Sequence, residues 1–233
     1  MERLDGWKGP IPWADNPDNP KFYEELVPPN RKPSWGDFFQ WFNLYYGHGR
    51  FGVIYSDIRS PYQLIKVVNC AISDNQQQAE FFDEHWQQDI EGLVKIHSLT
   101  FCKAKSGIIN PLEGHVARTD ADYGQVMQVL SLKEGHELSM WCMEKVKYVG
   151  LTHPNLSRDD MIDRVAEAAY NITTRTGYDL RDLFPENYGF RDDGSAVIFD
   201  FDCYDYGEGG EQGLDDYKRD IRYWAGTFYD EKV

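Results

Sequence analysis

The chain has 233 residues, with 24 Lys and Arg against 39 Asp and Glu, so its formal net charge is −15 at pH 7. This charge repels phosphate backbones and anionic membranes, which argues against nucleic-acid binding through a broad basic surface and favours a basic partner. The length suits one domain or two closely joined lobes. A hydrophobic content of 41% and an unusually high aromatic content of 15% favour an ordered globular protein over a disordered one.

The cysteine pattern and the hydropathy of the chain predict a cytoplasmic protein. The four cysteines are widely spaced and form neither a zinc motif nor a dense disulfide pattern, so we expect free thiols in a reducing compartment. The N-terminus has no apolar targeting core, and no run approaches the ~20 apolar residues of a membrane span.

The first 42 residues are predicted to form an arm rich in proline and aromatic residues. Most of the prolines lie before residue 34, which favours an extended segment over a regular element. Ser34 to Asp37 resembles a helix start ahead of Phe38 and Phe39, so a short helix is expected there.

Residues 43–146 are predicted to form an antiparallel sheet with one helix. Three β-rich runs, 42–46, 51–55 and 63–68, predict a meander. Residues 74–93 have helical spacing, with Ala79, Phe82, Trp86 and Ile90 near one stripe. Further strands are expected at 96–102, 126–132 and 138–146, and the interval 105–124 is predicted to be a loop or insertion.

Residues 147–233 are predicted to be mainly helical. Ser157 is a candidate N-cap with Asp160 three residues on, and the apolar stripe that follows ends before Gly177. A last helix is indicated by apolar residues at helical intervals, namely Tyr217, Ile221, Trp224 and Phe228. The expected fold class is therefore α+β with two lobes.

A glycine-rich turn lies between the first two predicted strands, in the segment GHGRFGVIY at 47–55. Its glycines allow the backbone to fold over a ligand with amides directed at phosphate oxygens. A hairpin also needs glycine for its turn alone. The order strand–turn–strand differs from the strand–turn–helix of a dinucleotide fold, which disfavours that alternative.

Lys66 is a charged residue inside the apolar run LIKVV at 64–68. A lysine on a strand most often faces solvent. Here the following helix offers Glu80 and Glu84, either of which can pair with Lys66 and hold it toward phosphates. Glu80 is the first choice as the partner of Lys66 because of its distance from the segment 93–95, and Glu84 remains an alternative partner.

An Asp, an Asn and a second Asp follow one another at the intervals of a phosphoryl-transfer site, in DLRDLFPEN at 179–187 and VIFDFD at 197–202. A single Asp of this kind belongs most often to a surface turn, because loops favour Asp and Asn. The combined run indicates a catalytic loop followed by a metal-binding strand end.

Four segments in order resemble the eukaryotic-type protein kinase family. They are the glycine loop GHGRFGVIY, the lysine strand LIKV, CMEKV at 142–146 as the hinge between lobes, and LRDLFPEN with DFD. The resemblance implies that Asp182 is the catalytic base and that Asn187 and Asp200 hold magnesium. It also implies that Lys66, paired with Glu80, contacts the α- and β-phosphates of ATP. Nucleotide-binding positions follow from the same resemblance: Gly47, Gly49, Phe51, Gly52, Ile54, Met143, Glu144 and Val146.

The sequence also departs from that family. Leu180 replaces the usual His before the Arg, Phe184 replaces the usual Lys, and Asp202 replaces the Gly of the metal motif. Loss of that Lys removes a positive charge from the γ-phosphate. Only residues 203–233 follow the metal motif, so we expect a reduced C-lobe, similar to that of the compact early kinases of short-tailed bacteriophages, with host proteins as targets in the host cytoplasm.

The leading hypothesis is a serine/threonine-type protein kinase that uses ATP and Mg²⁺, with basic protein substrates. The alternatives are a pseudokinase that blocks a partner and an acidic mimic of DNA. The run 196–202 also resembles the nucleophile strand of haloacid-dehalogenase-type phosphatases, but the long α/β body of that family does not follow. The histidines show no metal-ligand spacing, and the trio Asp200, Asp202 and Asp205 lacks the Gly and Glu of a calcium loop.

Overall fold

The computed structural model describes residues 42–48, 52–57, 60–103, 137–205 and 212–230. These residues are mixed α+β, with antiparallel sheets and three α-helices, as the sequence predicted. They fall into two compact units. The first contains the described residues up to 86 and those of 96–145, and the second contains 87–95 and the described residues from 146 onward.

The first unit is built on a five-stranded sheet in the order β1-β2-β3-β5-β4, in which every neighbouring pair is antiparallel. The predicted meander is present as its first three strands. The predicted arm of residues 1–42, except for its last residue, the strand at 126–132 and the insertion at 105–124 lie outside the described residues. The strands are β1 (Phe42–His48), β2 (Gly52–Asp57), β3 (Gln63–Asn69), β4 (Ile96–Lys103) and β5 (Glu137–Glu144).

Strand β3 is the centre of this sheet and is buried along its whole length. It is rich in β-branched and aliphatic residues, which suit a strand with neighbours on both sides. Lys66 stands opposite Ile54 of β2 and Trp141 of β5, so these three side chains share one face of the sheet. Large apolar side chains therefore flank Lys66 on this face of the sheet.

Helix α1 (Ser73–His85) follows β3 and ends eight residues earlier than the sequence predicted. The reason lies in the residues beyond it. Gly92 has a φ of +88°, which a helix interior does not allow. Val94 donates to the Ile198 carbonyl at 3.0 Å, and Ile198 donates to the Gly92 carbonyl at 2.8 Å. Residues 92–94 thus pair with a strand of the second unit instead of extending the helix.

The second unit contains two long helices and five short strands. The sequence predicted a mainly helical lobe and did not predict strands of two to four residues, apart from a strand around 197. The strands pair as β6-β8-β9 and as β7-β10, all antiparallel. In chain order the elements are β6 (Tyr148–Val149), α2 (Arg158–Thr176), β7 (Tyr178–Arg181), the 3-10 helix Pro185–Asn187, β8 (Tyr188–Phe190), β9 (Ala196–Ile198), β10 (Asp202–Asp205) and α3 (Leu214–Asp230).

The predicted ends of α2 are confirmed. The Ser157 hydroxyl accepts from the Asp160 amide at 3.1 Å, which satisfies a free N–H of the first turn. Gly177 closes the helix at a φ of +80°, where its missing Cβ removes the steric penalty. The predicted apolar stripe is buried: Ile162, Val165, Ala169 and Ile172.

Tyr217 and Ile221 of α3 are buried, as its apolar spacing predicted. No helix in the described parts of the chain combines the length and the apolar character that crossing a membrane requires. The division into 1–42, 43–146 and 147–233 stays a prediction.

Candidate functional site

The loop after β7 holds Asp182 in an unusual backbone conformation. Its φ is +60°, and it is the only non-glycine residue with a positive φ in the described part of the chain. This region costs an L-residue about 1 kcal/mol, somewhat less for Asp and Asn than for bulky residues. Such conformations persist where surrounding contacts enforce them, and they cluster at functional sites.

The contacts that enforce this conformation come from the next five residues. The Asp182 carbonyl accepts from the Phe184 amide at 2.8 Å and from the Asn187 side-chain Nδ2 at 2.6 Å. The Asn187 amide in turn donates to the Phe184 carbonyl at 2.9 Å. Three hydrogen bonds therefore close the segment 182–187 into a tight loop and leave the Asp182 side chain exposed.

The same Asn187 connects this loop to the residues that follow β9. Its carbonyl accepts from the amide of Phe199 at 3.0 Å and from that of Asp200 at 3.2 Å. The backbone of Asp200 is thereby held against that of Asn187, although thirteen residues separate them. The structure brings together the three site residues predicted in the second unit, Asp182, Asn187 and Asp200.

The side chains of Asn187 and Asp200 suit a magnesium ion. Because the Asn187 Nδ2 donates to Asp182, the Oδ1 atom is the one left to ligate a cation. Mg²⁺ prefers oxygen ligands and is usually held by one or two protein groups together with substrate phosphates. Among the described residues no three His, Cys, Asp or Glu side chains converge on a metal site. Asn187 Oδ1 and the Asp200 carboxylate are the oxygen groups of this loop region that could hold such an ion, and their role as ligands stays a prediction.

Tyr217, which sequence analysis identified only as an apolar position of the last predicted helix, supports the candidate loop. The Tyr217 hydroxyl accepts from the Leu180 amide at 2.9 Å and lies 2.6 Å from the Thr173 hydroxyl. Burial raises the pKa of the Tyr217 phenol above its usual value of 10, against the lowering effect of these hydrogen bonds. Tyr217 thus ties α3 and α2 to the strand that leads into Asp182. No sequence pattern distinguishes this tyrosine from an ordinary core residue.

A second buried contact supports the other side of β7. Asp179 is fully buried and accepts from the Gln212 amide at 3.1 Å. Gln212 lies just before α3, and its side-chain amide donates to Asp220 of that helix at 3.0 Å. Together with Tyr217, this contact fixes β7 to the start of α3, so the position of the loop depends on the last helix of the chain.

In the first unit, Lys66 is buried, with 5% of its surface exposed. Its Nζ atom donates to Gln78 Oε1 of α1 at 3.2 Å and lies 5.5 Å from the centre of the Trp141 ring. Gly52 of β2 is close to the same side chain, since a Cβ there would come within 3.2 Å of Lys66 Cε. The strand lysine therefore points into the protein and not into solvent.

The structure places Gln78 of α1 at Lys66, and sequence analysis did not select this residue. Glu80 is exposed, and its Oε1 atom accepts from Gln76 at 2.8 Å. Glu84 is also exposed and lies 3.8 Å from His85. Glu80 and Glu84 share one side of the helix, whereas Gln78 lies one turn before the buried Phe82. Sequence analysis considered only carboxylates as partners of Lys66 and therefore missed Gln78, although the buried stripe of α1 indicated its position.

The other predicted nucleotide-binding positions are distributed as follows. Gly49 and Phe51 lie outside the described residues. Gly47 is in β1 and Gly52 begins β2. Ile54 is half-buried and opposite Lys66, and Met143 is buried opposite Leu64. The binding roles of these residues stay predictions, as do those of Glu144 at the end of β5 and of Val146, both half-buried.

In the comparisons with known proteins, the sequence matches no protein-family model, and no curated protein resembles it closely enough to count as a match.

Proposed function

We propose that this protein is an ATP-dependent protein kinase that transfers the γ-phosphoryl group to serine or threonine hydroxyls of a protein substrate. The observation that supports the proposal is the set of hydrogen bonds that holds Asp182, Asn187 and Asp200 together at one loop. The order and chemistry of these residues are those of the family that the sequence resembles. The hydrogen bonds around Asn187 hold the backbone of Asp182 and Asp200 in place, which is a part of the positioning that such chemistry needs.

Asp182 is the candidate general base of this reaction. Its exposed carboxylate accepts the proton of the attacking hydroxyl as the new bond between oxygen and the γ-phosphorus forms. The bond between the γ-phosphorus and the oxygen of ADP breaks in the same step. The carbonyl of Asp182 is bound by two donors, so the side chain starts from a fixed backbone.

Asn187 Oδ1 and the Asp200 carboxylate are the groups that would hold magnesium. The ion supplies charge neutralisation at the phosphate oxygens when bound. Lys66 is proposed to add a positive charge at the α- and β-phosphates. Its ammonium group is positioned by Gln78 and lies near Trp141, so little conformational entropy remains to be lost on binding a phosphate.

One observation favours a second function, a pseudokinase or acidic inhibitor that binds a partner without transferring phosphate. Phe184 stands where the resembling family usually has a lysine, and its ring packs 4.3 Å from that of Trp224. An aromatic side chain supplies no positive charge at the γ-phosphate. The net charge of −15 would serve a blocking protein with a basic target as well as it would serve an enzyme.

The experiment that separates these functions is incubation of the purified protein with magnesium, a host lysate and ATP labelled on the γ-phosphate. A kinase puts label on serine or threonine of a lysate protein or of itself. ATP labelled on the α-phosphate is the control for tight nucleotide binding and should leave no covalent label. Absence of γ-label, together with capture of a lysate protein by the unlabelled chain, would favour the inhibitor.

A further inference from the structure

Trp141 of β5 is a fully buried tryptophan that contacts both Lys66 and helix α1. It stands opposite Lys66 in the pairing of β3 with β5, and the Lys66 Nζ atom lies over its ring, 5.5 Å from the centre. The ring centre of Trp141 is also 5.1 Å from that of Phe82 on α1. The same helix carries Gln78, which accepts a hydrogen bond from Lys66. Trp141 is therefore in contact with the lysine and with the helix that helps to hold it.

The indole N–H of Trp141 indicates that core packing alone does not explain a tryptophan at this position. Its Nε1 atom is buried and has no hydrogen-bond partner in the described part of the chain. A buried donor without a partner is destabilising, whereas phenylalanine or leucine would fill a core without that cost. The feature that tryptophan adds is the aromatic face that attracts a cation most strongly.

This attraction is favoured because Lys66 is itself buried. With 5% of its surface exposed, the side chain has lost most of its contact with water. A cation over an aromatic ring is bound more strongly when the two groups are desolvated than when they are exposed. The indole ring carries no net charge, so its contact holds the ammonium group without cancelling the positive charge that a phosphate would bind.

We propose that Trp141 is a positioning residue for nucleotide binding, whose indole ring holds the Lys66 ammonium group in the orientation from which Lys66 contacts the α- and β-phosphates. The proposal rests on the proposed kinase function and adds a residue on which phosphate binding depends. Through Phe82 the same ring packs against α1, so Trp141 and Gln78 act on Lys66 together. Without the ring, the lysine side chain has more conformational freedom to lose when a phosphate binds.

The test compares ADP, which carries the α- and β-phosphates, with adenosine, which carries none. Isothermal titration calorimetry in magnesium buffer gives both Kd values for wild type, Trp141→Phe, Trp141→Leu and Phe81→Leu. Trp141→Phe keeps a ring with a weaker attraction for cations, and Trp141→Leu removes the ring. Phe81→Leu is the matched control for lost aromatic packing, because Phe81 is a fully buried residue of α1 that packs on Phe82.

We expect Trp141→Leu to raise the Kd for ADP about five- to thirtyfold and Trp141→Phe to raise it about two- to fivefold, as a desolvated cation–π contact implies. The Kd for adenosine should stay unchanged in both variants, because adenosine has no phosphate for Lys66 to bind. Phe81→Leu should leave the ratio of the two Kd values as it is in wild type. If Trp141→Leu does not fold, the result for Trp141→Phe decides.

Three results would overturn the role of Trp141. They are an equal loss of affinity for ADP and adenosine in Trp141→Phe, no loss for ADP in that variant, and a wild type that does not prefer ADP to adenosine. Transfer of the γ-phosphate from ATP is measured separately. If the expected pattern of ADP binding is found but wild type transfers no phosphate, the role of Trp141 stands and the kinase function fails.

Discussion

Lys66 of the first unit and Asp182 of the second, the most prominent predicted site residue of each unit, are held in place in different ways. Asp182 is fixed by backbone and side-chain hydrogen bonds from within five residues of itself. Lys66 lies on β3 and depends on side chains of two other elements, Gln78 of α1 and Trp141 of β5. The conformation of the loop is therefore encoded locally, although α3 fixes the strand that leads into it, whereas the position of Lys66 depends on packing between elements.

This difference explains which parts of the site are visible in the sequence. A local loop leaves its donors and acceptors at fixed spacings, so the run 179–187 could be selected by inspection. A strand lysine takes its partner from wherever the neighbouring helix is buried. The α1 side chain that accepts from Lys66 here is an amide, that of Gln78, whereas the rule that a lysine needs a carboxylate pointed to the solvent-exposed Glu80.

The largest expected effect tests whether Lys66 and Asp200 bind the same nucleotide. Lys66→Ala and Asp200→Ala should each abolish the rise in Tm that magnesium-ATP gives the wild type, because a ligand stabilises only a fold that binds it. Thermal unfolding with and without magnesium-ATP measures this. The matched controls are Lys147→Ala and Asp192→Ala, which break an exposed ion pair of 2.7 Å. A full shift retained in both Lys66→Ala and Asp200→Ala would remove the proposed site.

The next effect concerns the packing that positions Lys66. Gln78→Leu keeps the buried volume but removes the acceptor, so we expect kcat/KM for ATP to fall by about tenfold, the size of a hydrogen bond to a charged group. Glu80→Gln and Glu84→Gln are the comparison variants and should change it less. Gln78→Glu, which keeps an acceptor oxygen, should restore most of the rate. A larger loss in Glu80→Gln would return the pairing role to Glu80.

The smallest expected effect lies at the support of the loop. Tyr217→Phe leaves the Leu180 amide and the Thr173 hydroxyl without their shared partner, so the free energy of unfolding should fall by about 1–2 kcal/mol. Urea denaturation at neutral pH measures this. Ile221→Val is the control for lost core volume, because Ile221 is buried one turn further along α3 and carries no hydroxyl. A free energy of unfolding that is unchanged in Tyr217→Phe would mean that the hydroxyl does not support the loop.

The same residue gives a pH dependence. Because burial raises the pKa of folded Tyr217 above that of the unfolded chain, its neutral form stabilises the fold fully below about pH 10. This stabilisation is lost as the pH rises through the folded-state pKa. Wild type should therefore lose stability more steeply than Tyr217→Phe as the pH rises above about 10. Parallel curves for the two proteins would contradict a buried, hydrogen-bonded phenol.

The helices show which parts of the fold could be predicted from the sequence. The boundaries of α2 could be predicted because Ser157 and Gly177 carry their own capping chemistry. The end of α1 could not, since Ile90 fits the helical period yet follows the helix. No side chain caps the start of α1. Pairing of residues 92–94 with β9 took precedence over the local spacing, and such long-range pairing has no local signature.

The short strands and Tyr217 were not predictable for a related reason. Strands of two to four residues, such as β6 and β8, contain too few positions for an alternating pattern. A tyrosine on an apolar stripe has the same pattern whether or not its hydroxyl bonds to a distant amide. Both features are set by tertiary contacts between elements far apart in the chain.

The most direct test of the account is the rate of phosphoryl transfer by wild type and by Asp182→Asn. The substitution keeps the shape of the side chain and, with the carbonyl contacts, the loop, but removes the proton acceptor. Transfer should fall by orders of magnitude while the Kd for magnesium-ATP stays nearly constant. Transfer that is absent in the wild type, or equal in the two proteins, would contradict the proposal that Asp182 is the base of a kinase.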